Sequence, residues 1–200
     1  HLSIRRQRQM CIRDRFKTTT YLTEFSVSSI YYYIMADFSN ILATRPDFND
    51  SDREWLHHLV VDWQVIADLS FADLLLIIQN GDGDYVVAEQ CRPSTAITLR
   101  TDDLLGKKLD DSLVPELNEA MKSETSFHSS TLRSIGRATV CYVYAPVRHR
   151  GKTLGLVMRE TNLATRESNG RYETESINAG KTLFDMIPVS YTHLRAHETD

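Results

Sequence analysis

The sequence predicts an α+β domain, an antiparallel sheet flanked by helices, and three observations predict it. A helix with one apolar face comes first, two β-hairpins follow with a helical stretch between them, and a second amphipathic helix closes the pattern. Strand runs joined by short turns pair antiparallel, since parallel neighbours need a crossover of a dozen residues or more. Helices that sit before, between and after such hairpins are then left to cover the sheet.

The first helix is read over 52–68, in "NDSDREWLHHLVVDWQVIADLS". Ser51 and Glu54 have capping-box spacing, and Trp55, Leu56, Leu59, Val60, Trp63 and Ile66 recur at three- and four-residue steps. His57 and His58 are neighbours on this helix, pointing about 100° apart, so they cannot converge on one ion; they fall at the margin of the apolar stripe. Leu74 to Ile78 is a short apolar run suited to a strand buried on both faces. "NGDG" is a hairpin turn, because Asn and Gly accept positive φ; its aspartates lack EF-hand spacing and read as a solvated turn. Tyr85 to Cys91 forms the returning strand, which Pro93 ends.

"DDSLVPELNEAMKSE" reads as a helix with Pro115 in its first turn and Leu117, Ala120 and Met121 facing inward. The stretches "RTDDLLGKK" and "SETSFHSSTLRSIGR" read as loops or short edge strands. A second hairpin, residues 139–147 and 153–160, turns at "RHRGK". The closing helix, "RYETESINAGKTLFDMI", carries Tyr172, Ile177, Leu183, Phe184 and Ile187 near one stripe.

At 200 residues, 42% apolar and 25% charged, the chain has the composition of a single soluble domain with a sizeable core. Leu74 to Ile78 is far shorter than the roughly 20 apolar residues a membrane helix needs. No N-terminal stretch reads as a signal peptide, and three cysteines are too few for a secreted disulfide scaffold, so the expectation is a cytoplasmic protein. The two ends, "RRQRQMCIRDR" and "PVSYTHLRAHETD", resemble translated adapter or vector sequence. Residues 1–34 are therefore expected to be non-native or disordered, 35–187 to form the domain beginning near Met35, and 188–200 to be a non-native tail. The whole chain has 23 basic and 27 acidic residues; setting the ends aside removes seven basic and four acidic ones and leaves 16 and 23, a net −7. An acidic domain argues against nucleic acid as a partner, and Cys11 drops out with the N-terminal segment.

Three segments carry a family resemblance: "WQVIADLSFADLLLI", "AEQCRPSTAIT" and "TDDLLGKKL". Together they resemble the N-terminal GAF sensor domain of actinobacterial PdtaS-type two-component sensor histidine kinases, over roughly residues 37–187. The resemblance implies a GAF-like fold without catalysis of its own, a homodimer, and PAS and kinase domains downstream that reach a response regulator. The chain departs from the family where the kinase chemistry would lie. It has no phosphoacceptor box, asparagine box or glycine-rich ATP lid, His57-His58 has the wrong neighbours, and Gly81-Asp82-Gly83 belongs to a turn.

In a GAF domain the ligand sits between the sheet and the middle segment, which points to the strands at 85–91 and 139–145 and the loops at 94–106 and 125–136. Cys91, Arg92, His128, Arg133, Tyr142 and Tyr144 are the candidate ligand-binding residues, each with an ordinary reading as a surface or half-buried sheet residue. The cyclic-nucleotide signature of such domains is absent, and so is a bilin-type Cys-His pair, because Arg92 follows Cys91 and Tyr142 follows Cys141. His128 or His149 could offer a haem an axial nitrogen, but each is a lone histidine. The sequence fixes no cofactor and no metal site. Cys91 and Cys141 lie fifty residues apart; Arg92 would favour a Cys91 thiolate, whereas Cys141 alternates with Val143 and Ala145 as core. Two other readings stay open: a GAF-fold thiol enzyme of the methionine sulfoxide reductase type, and a structural module dimerising through Trp55 and Trp63.

Overall fold

The structure is a computed structural model and describes residues 38–164 and 171–188. The expectations for 1–34, for Met35 and for most of the tail lie outside the described residues, as does the Tyr172 side chain. After a helical segment at 38–43, the chain forms helix α1 (Asp50–Asp62) and helix α2 (Gln64–Ser70), then strands β1 (Asp73–Gln79) and β2 (Tyr85–Cys91). A 3-10 turn (Asp111–Leu113) leads into α3 (Val114–Lys122). Strands β3 (Phe127–His128), β4 (Arg133–Ile135), β5 (Ala138–His149) and β6 (Lys152–Asn162) follow, then helix α4 (Arg171–Asp185).

The single helix expected over 52–68 is two helices. Trp63 stays in a right-handed helical conformation at the junction, where it ends α1 and its carbonyl accepts the Ala67 N–H at 3.0 Å as the cap of α2, and it is buried. The N-cap is also displaced from Ser51. Asn49 Oδ1 accepts the Asp52 backbone N–H at 2.9 Å, and Asp52 Oδ2 accepts the Asn49 N–H at 3.2 Å, a reciprocal cap two residues upstream.

All strand pairs are antiparallel, in the order β2-β1-β6-β5-β3, with β4 also on the outer edge of β5. The sheet is covered on both sides, and alternation assigns each strand residue to one of them. On one side Leu74, Leu76, Ile78, Val143, Ala145 and Val157 pack under α1, α2 and α4, with Leu56, Trp63, Ile66 and Phe184 from the helices. On the other, Leu75, Ile77, Tyr142, Tyr144, Leu156 and Met158 pack under α3 through Leu117 and Ala120. The run Leu74–Ile78 is fully buried because both of its faces are used.

One bulge decides where Cys91 points. The β1–β2 register shifts between Leu76 and Ile77, so Leu76 pairs with Glu89 while Ile77 pairs with Val87, and Ala88 is the extra residue. Strict alternation from Tyr85 would place Cys91 with Val87, under α3. The bulge turns it to the opposite side, where it pairs with Leu74 in the helix-facing core. The turn at Asn80–Gly83 is held by Asn80 Oδ1, which accepts the N–H groups of Asp82 and Asp84 at 3.0 and 2.9 Å, while Gly83 takes φ 87°.

Candidate functional site

Beneath α3, the middle of the sheet is polar although it is buried. Asp73, Glu160 and Tyr142 stand side by side across β1, β6 and β5, as their cross-strand pairing requires. Glu160 is fully buried and receives both arms of Arg100, Nε at 2.9 Å and Nη2 at 2.7 Å. Asp73 accepts the Leu99 N–H at 2.7 Å and the Thr98 hydroxyl. These bonds pin the loop after β2 across the sheet. Arg92 pins its other side, its guanidinium donating to the carbonyls of Arg100 and Asp102, each at 2.8 Å. Burial raises the Asp73 pKa above its ordinary value, and the hydrogen bonds from Thr98 and Leu99 offset only part of that rise.

Beside this row, Glu116 of α3 gathers three donors. The Tyr144 hydroxyl donates at 3.1 Å, the Ser129 hydroxyl at 3.1 Å, and Arg133 Nη2 approaches to 3.4 Å. The Arg133 guanidinium also donates to Ser112 Oγ at 3.2 Å and lies 6.0 Å over the Tyr142 ring. Burial first, and then the Glu160 carboxylate, push the Tyr142 phenol up to about 12; burial and Glu116 raise that of Tyr144 as well. Both phenols are therefore neutral donors at physiological pH. Among the described residues on this side, the buried donors Gln90 Nε2, on a side chain that is nine-tenths buried, and Arg133 Nε lack partners.

The six residues singled out in the sequence thus separate. Arg133, Tyr142 and Tyr144 come together beneath α3, and Arg92 braces the loop at its margin. Cys91 and His128 belong to the other side of the sheet. His128 pairs with Val143, which faces the helices, whereas its neighbour Phe127 pairs with Tyr144. Cys91 is 4% exposed, and its thiol donates to Gln64 Oε1 at 3.2 Å. A thiol so enclosed does not present a nucleophile to a substrate. Glu116, Arg100, Glu160 and Gln90 escaped notice because charged or amide residues in loops and strands read as solvated until the register places them inward.

A second concave site lies on the helix-facing side, where α4 crosses the sheet. It has a cavity of about 140 Å³, bounded by Ser70 and Phe71 at the end of α2, His128, Cys141, Arg159 and Lys181. Cys141, expected as core, is half-buried at its wall. Haem ligation by His149 has a structural alternative in place, since its Nδ1 lies 3.0 Å from Asp52 Oδ1 and its ring stacks on Trp55 at 5.1 Å. Trp55 and Trp63 both pack into the domain's own core. Among the described residues no group of three or more His, Cys, Asp or Glu could hold a metal ion, and no helix is long and apolar enough to cross a membrane.

An antiparallel six-stranded sheet, helices grouped on one side, and a lone helix with long loops enclosing polar groups on the other: this is the architecture of a GAF-type sensor domain. The comparisons with known proteins agree. A family profile for the GAF domain of histidine kinase PdtaS matches residues 38–179, and the chain belongs to that family. It is 30% identical over 156 residues to sensor histidine kinase PdtaS of Mycolicibacterium smegmatis, spanning 76% of this chain and 31% of the relative. It is 28% identical over 147 residues to the Mycobacterium tuberculosis protein of the same name, spanning 70% and 29%. The chain therefore spans about a third of the length of these curated relatives. Among solved structures, the sensor region of a sensor histidine kinase superposes with a TM-score of 0.61 at 26% identity, over 76% of this chain and 52% of that one. The similarity lies on the sensor domain rather than on a kinase core.

Proposed function

We propose that this domain is the input of a cytoplasmic PdtaS-type two-component histidine kinase, working as a homodimer. It receives a small ligand or signal and passes it to PAS and kinase domains, which act on a response regulator. The family match over residues 38–179 carries this reading. The ligand site proposed is the side of the sheet beneath α3, where Tyr142, Tyr144 and Arg133 converge and Gln90 Nε2 and Arg133 Nε hold unused donor capacity. A ligand accepting those hydrogen bonds would shift the balance between two arrangements of the domain by its difference in affinity for them.

Thermal melts of the full chain against nucleotides, metal ions and haem test this proposal. A ligand bound only by the folded state raises the melting temperature. The expected hit is lost in Arg133→Ala. A panel that produces no shift, or a shift that survives Arg133→Ala and Gln90→Ala alike, sinks the α3-side site.

A further inference from the structure

We infer that the cavity under α4 binds a small oxyanion, a carboxylate or phosphate group, and that the bound ion fastens α4 to the sheet. This site is distinct from the one proposed beneath α3 and does not depend on it.

The charge of the wall sets the sign of the ligand. Arg159, which also stacks over the Phe184 ring at 4.7 Å, and Lys181 bring two cationic side chains to the wall, and no carboxylate is among the described lining residues. Lys181, on the exposed side of α4, has no ion-pair partner among the described residues. The polar atoms that accompany these cations are placed to donate. Asn162 spends its side-chain oxygen on the Ala164 N–H at 3.0 Å, which leaves its amide NH₂ as the remaining polar group. Ser70 is 5% exposed, and its hydroxyl is buried with no hydrogen-bond partner. A buried hydroxyl left unsatisfied costs on the order of 1–3 kcal/mol, and an oxyanion at the cavity wall would accept its proton. The carbonyl end of α2 lies at the same wall and disfavours an anion. Two of its carbonyls are already engaged: that of Ala67 by the Ala72 N–H at 3.2 Å, and that of Leu69 by the Ser176 hydroxyl at 3.4 Å.

Size narrows the class. A water occupies about 30 Å³ of liquid, and drug-sized ligands fill pockets of about 300–1,000 Å³. At about 140 Å³ the cavity matches an ion of a few heavy atoms better than a nucleotide or haem. Position then supplies the consequence. Asn178 and Lys181 belong to α4, while Arg159, Thr161 and Asn162 belong to β6 and Ser70 to α2. An ion held by these groups bridges three elements. Next to it Gly180 meets α2 so closely that a Cβ there would lie 2.6 Å from Ser70 Oγ, so small changes in the seating of α4 are felt at the same wall.

The probes are inorganic phosphate and acetate, added to the full chain, with sodium chloride at matched ionic strength as the control. The expected result is a rise of about 3 °C in melting temperature at tenfold excess over Kd with at least one oxyanion, and none with chloride. Lys181→Glu, an exposed change that leaves the core intact, should weaken that response at least tenfold, and Ser70→Ala should weaken it too. Arg133→Ala, on the other side of the sheet, should leave it unaltered. An equal rise with chloride, or a response that survives Lys181→Glu, overturns the inference. Which of phosphate and acetate gives the larger shift identifies the headgroup.

Discussion

On the side under α1, α2 and α4, the central strands present Leu74, Leu76, Ile78, Val143, Ala145 and Val157, side chains without a polar atom. On the side under α3 the same strands present Asp73, Glu160, Tyr142 and Tyr144 beside Leu75, Ile77, Leu156 and Met158, and the loop after β2 adds Arg100. The first side stabilises the fold by removing apolar surface from water, at about 25 cal/mol per Å². The second must desolvate charges that only their partners offset, and such pairs seldom exceed what apolar residues of equal volume would give. Stability alone does not require this polar side, and the loops it anchors are the ones that enclose the proposed ligand site.

The largest effect should come from the apolar side. Phe184 of α4 is fully buried, and Phe184→Ala should cost about 4 kcal/mol in chemical denaturation. On the polar side, Glu160→Gln should cost about 3 kcal/mol, because Arg100 is left without its bidentate carboxylate. This lies at the lower end for a buried pair, since the Arg100 side chain retains 26% exposure to water. The comparison sharpens in the double replacement Glu160→Leu with Arg100→Met. If the polar side is there for function, the double variant should recover most of the lost stability. A double variant as unstable as the single one would show that the ion pair itself holds the domain together.

The two sides also differ in how far the sequence reveals them. The apolar side was legible, because Leu56, Leu59, Trp63 and Ile66 mark a helical stripe and Leu74–Ile78 a buried strand by periodicity alone. The cap was missed by two residues, since Ser51–Glu54 and Asn49–Asp52 share one spacing and only the fold selects between them. The polar side was half legible. Tyr142 and Tyr144 fall on one face by simple alternation, but Cys91 does not follow it, because the bulge at Ala88 reverses its side. Nothing in "YVVAEQC" marks the bulge, which arises from the pairing of β2 with β1. His128 is lost for a related reason: in a two-residue strand the face is fixed by register with Val143, a partner fifteen residues away.

Smaller effects separate the sides by pH. Burial raises Asp73 in the folded state above its ordinary 3.8, so the fold favours its protonated form. Stability from this group is lost as pH rises from 3.8 through the raised value, and regained on acidification. His57 runs the other way. Its ring meets Phe38 edge-on at 4.7 Å, its buried Nδ1 has no partner, and burial, then His58, lowers it below 6.5. Stability from His57 is present above 6.5 and lost as pH falls through the lowered value. Asp73→Asn should lie within about 1 kcal/mol of the parent at pH 7, because the amide can still accept from Leu99 and donate to Thr98. It should also make the acid-side loss steeper, since Asp73 no longer offsets the losses from His57 and from carboxylates such as Asp47 and Asp52 that the fold holds below their ordinary range. Urea unfolding of both proteins at several pH values checks this, and parallel curves would show that Asp73 is already protonated or never titrates.

The smallest expected effect concerns two thiols rather than stability. Cys91 and Cys141 lie on the same side of the sheet, yet one is enclosed in the core and hydrogen-bonded to Gln64, while the other is half-buried at the wall of the α4 cavity. A reagent reaches an enclosed thiol only when the structure opens, so its rate falls with the population of open states. Labelling of the full chain under native conditions, with sites resolved by peptide mass, should modify Cys141 roughly tenfold or more faster than Cys91. In denaturant the two rates should converge. Native labelling of Cys91 at its denatured rate would show that the bulge at Ala88 does not hold it inward, and would return this cysteine to the surface beside Arg92 as a reactive thiol.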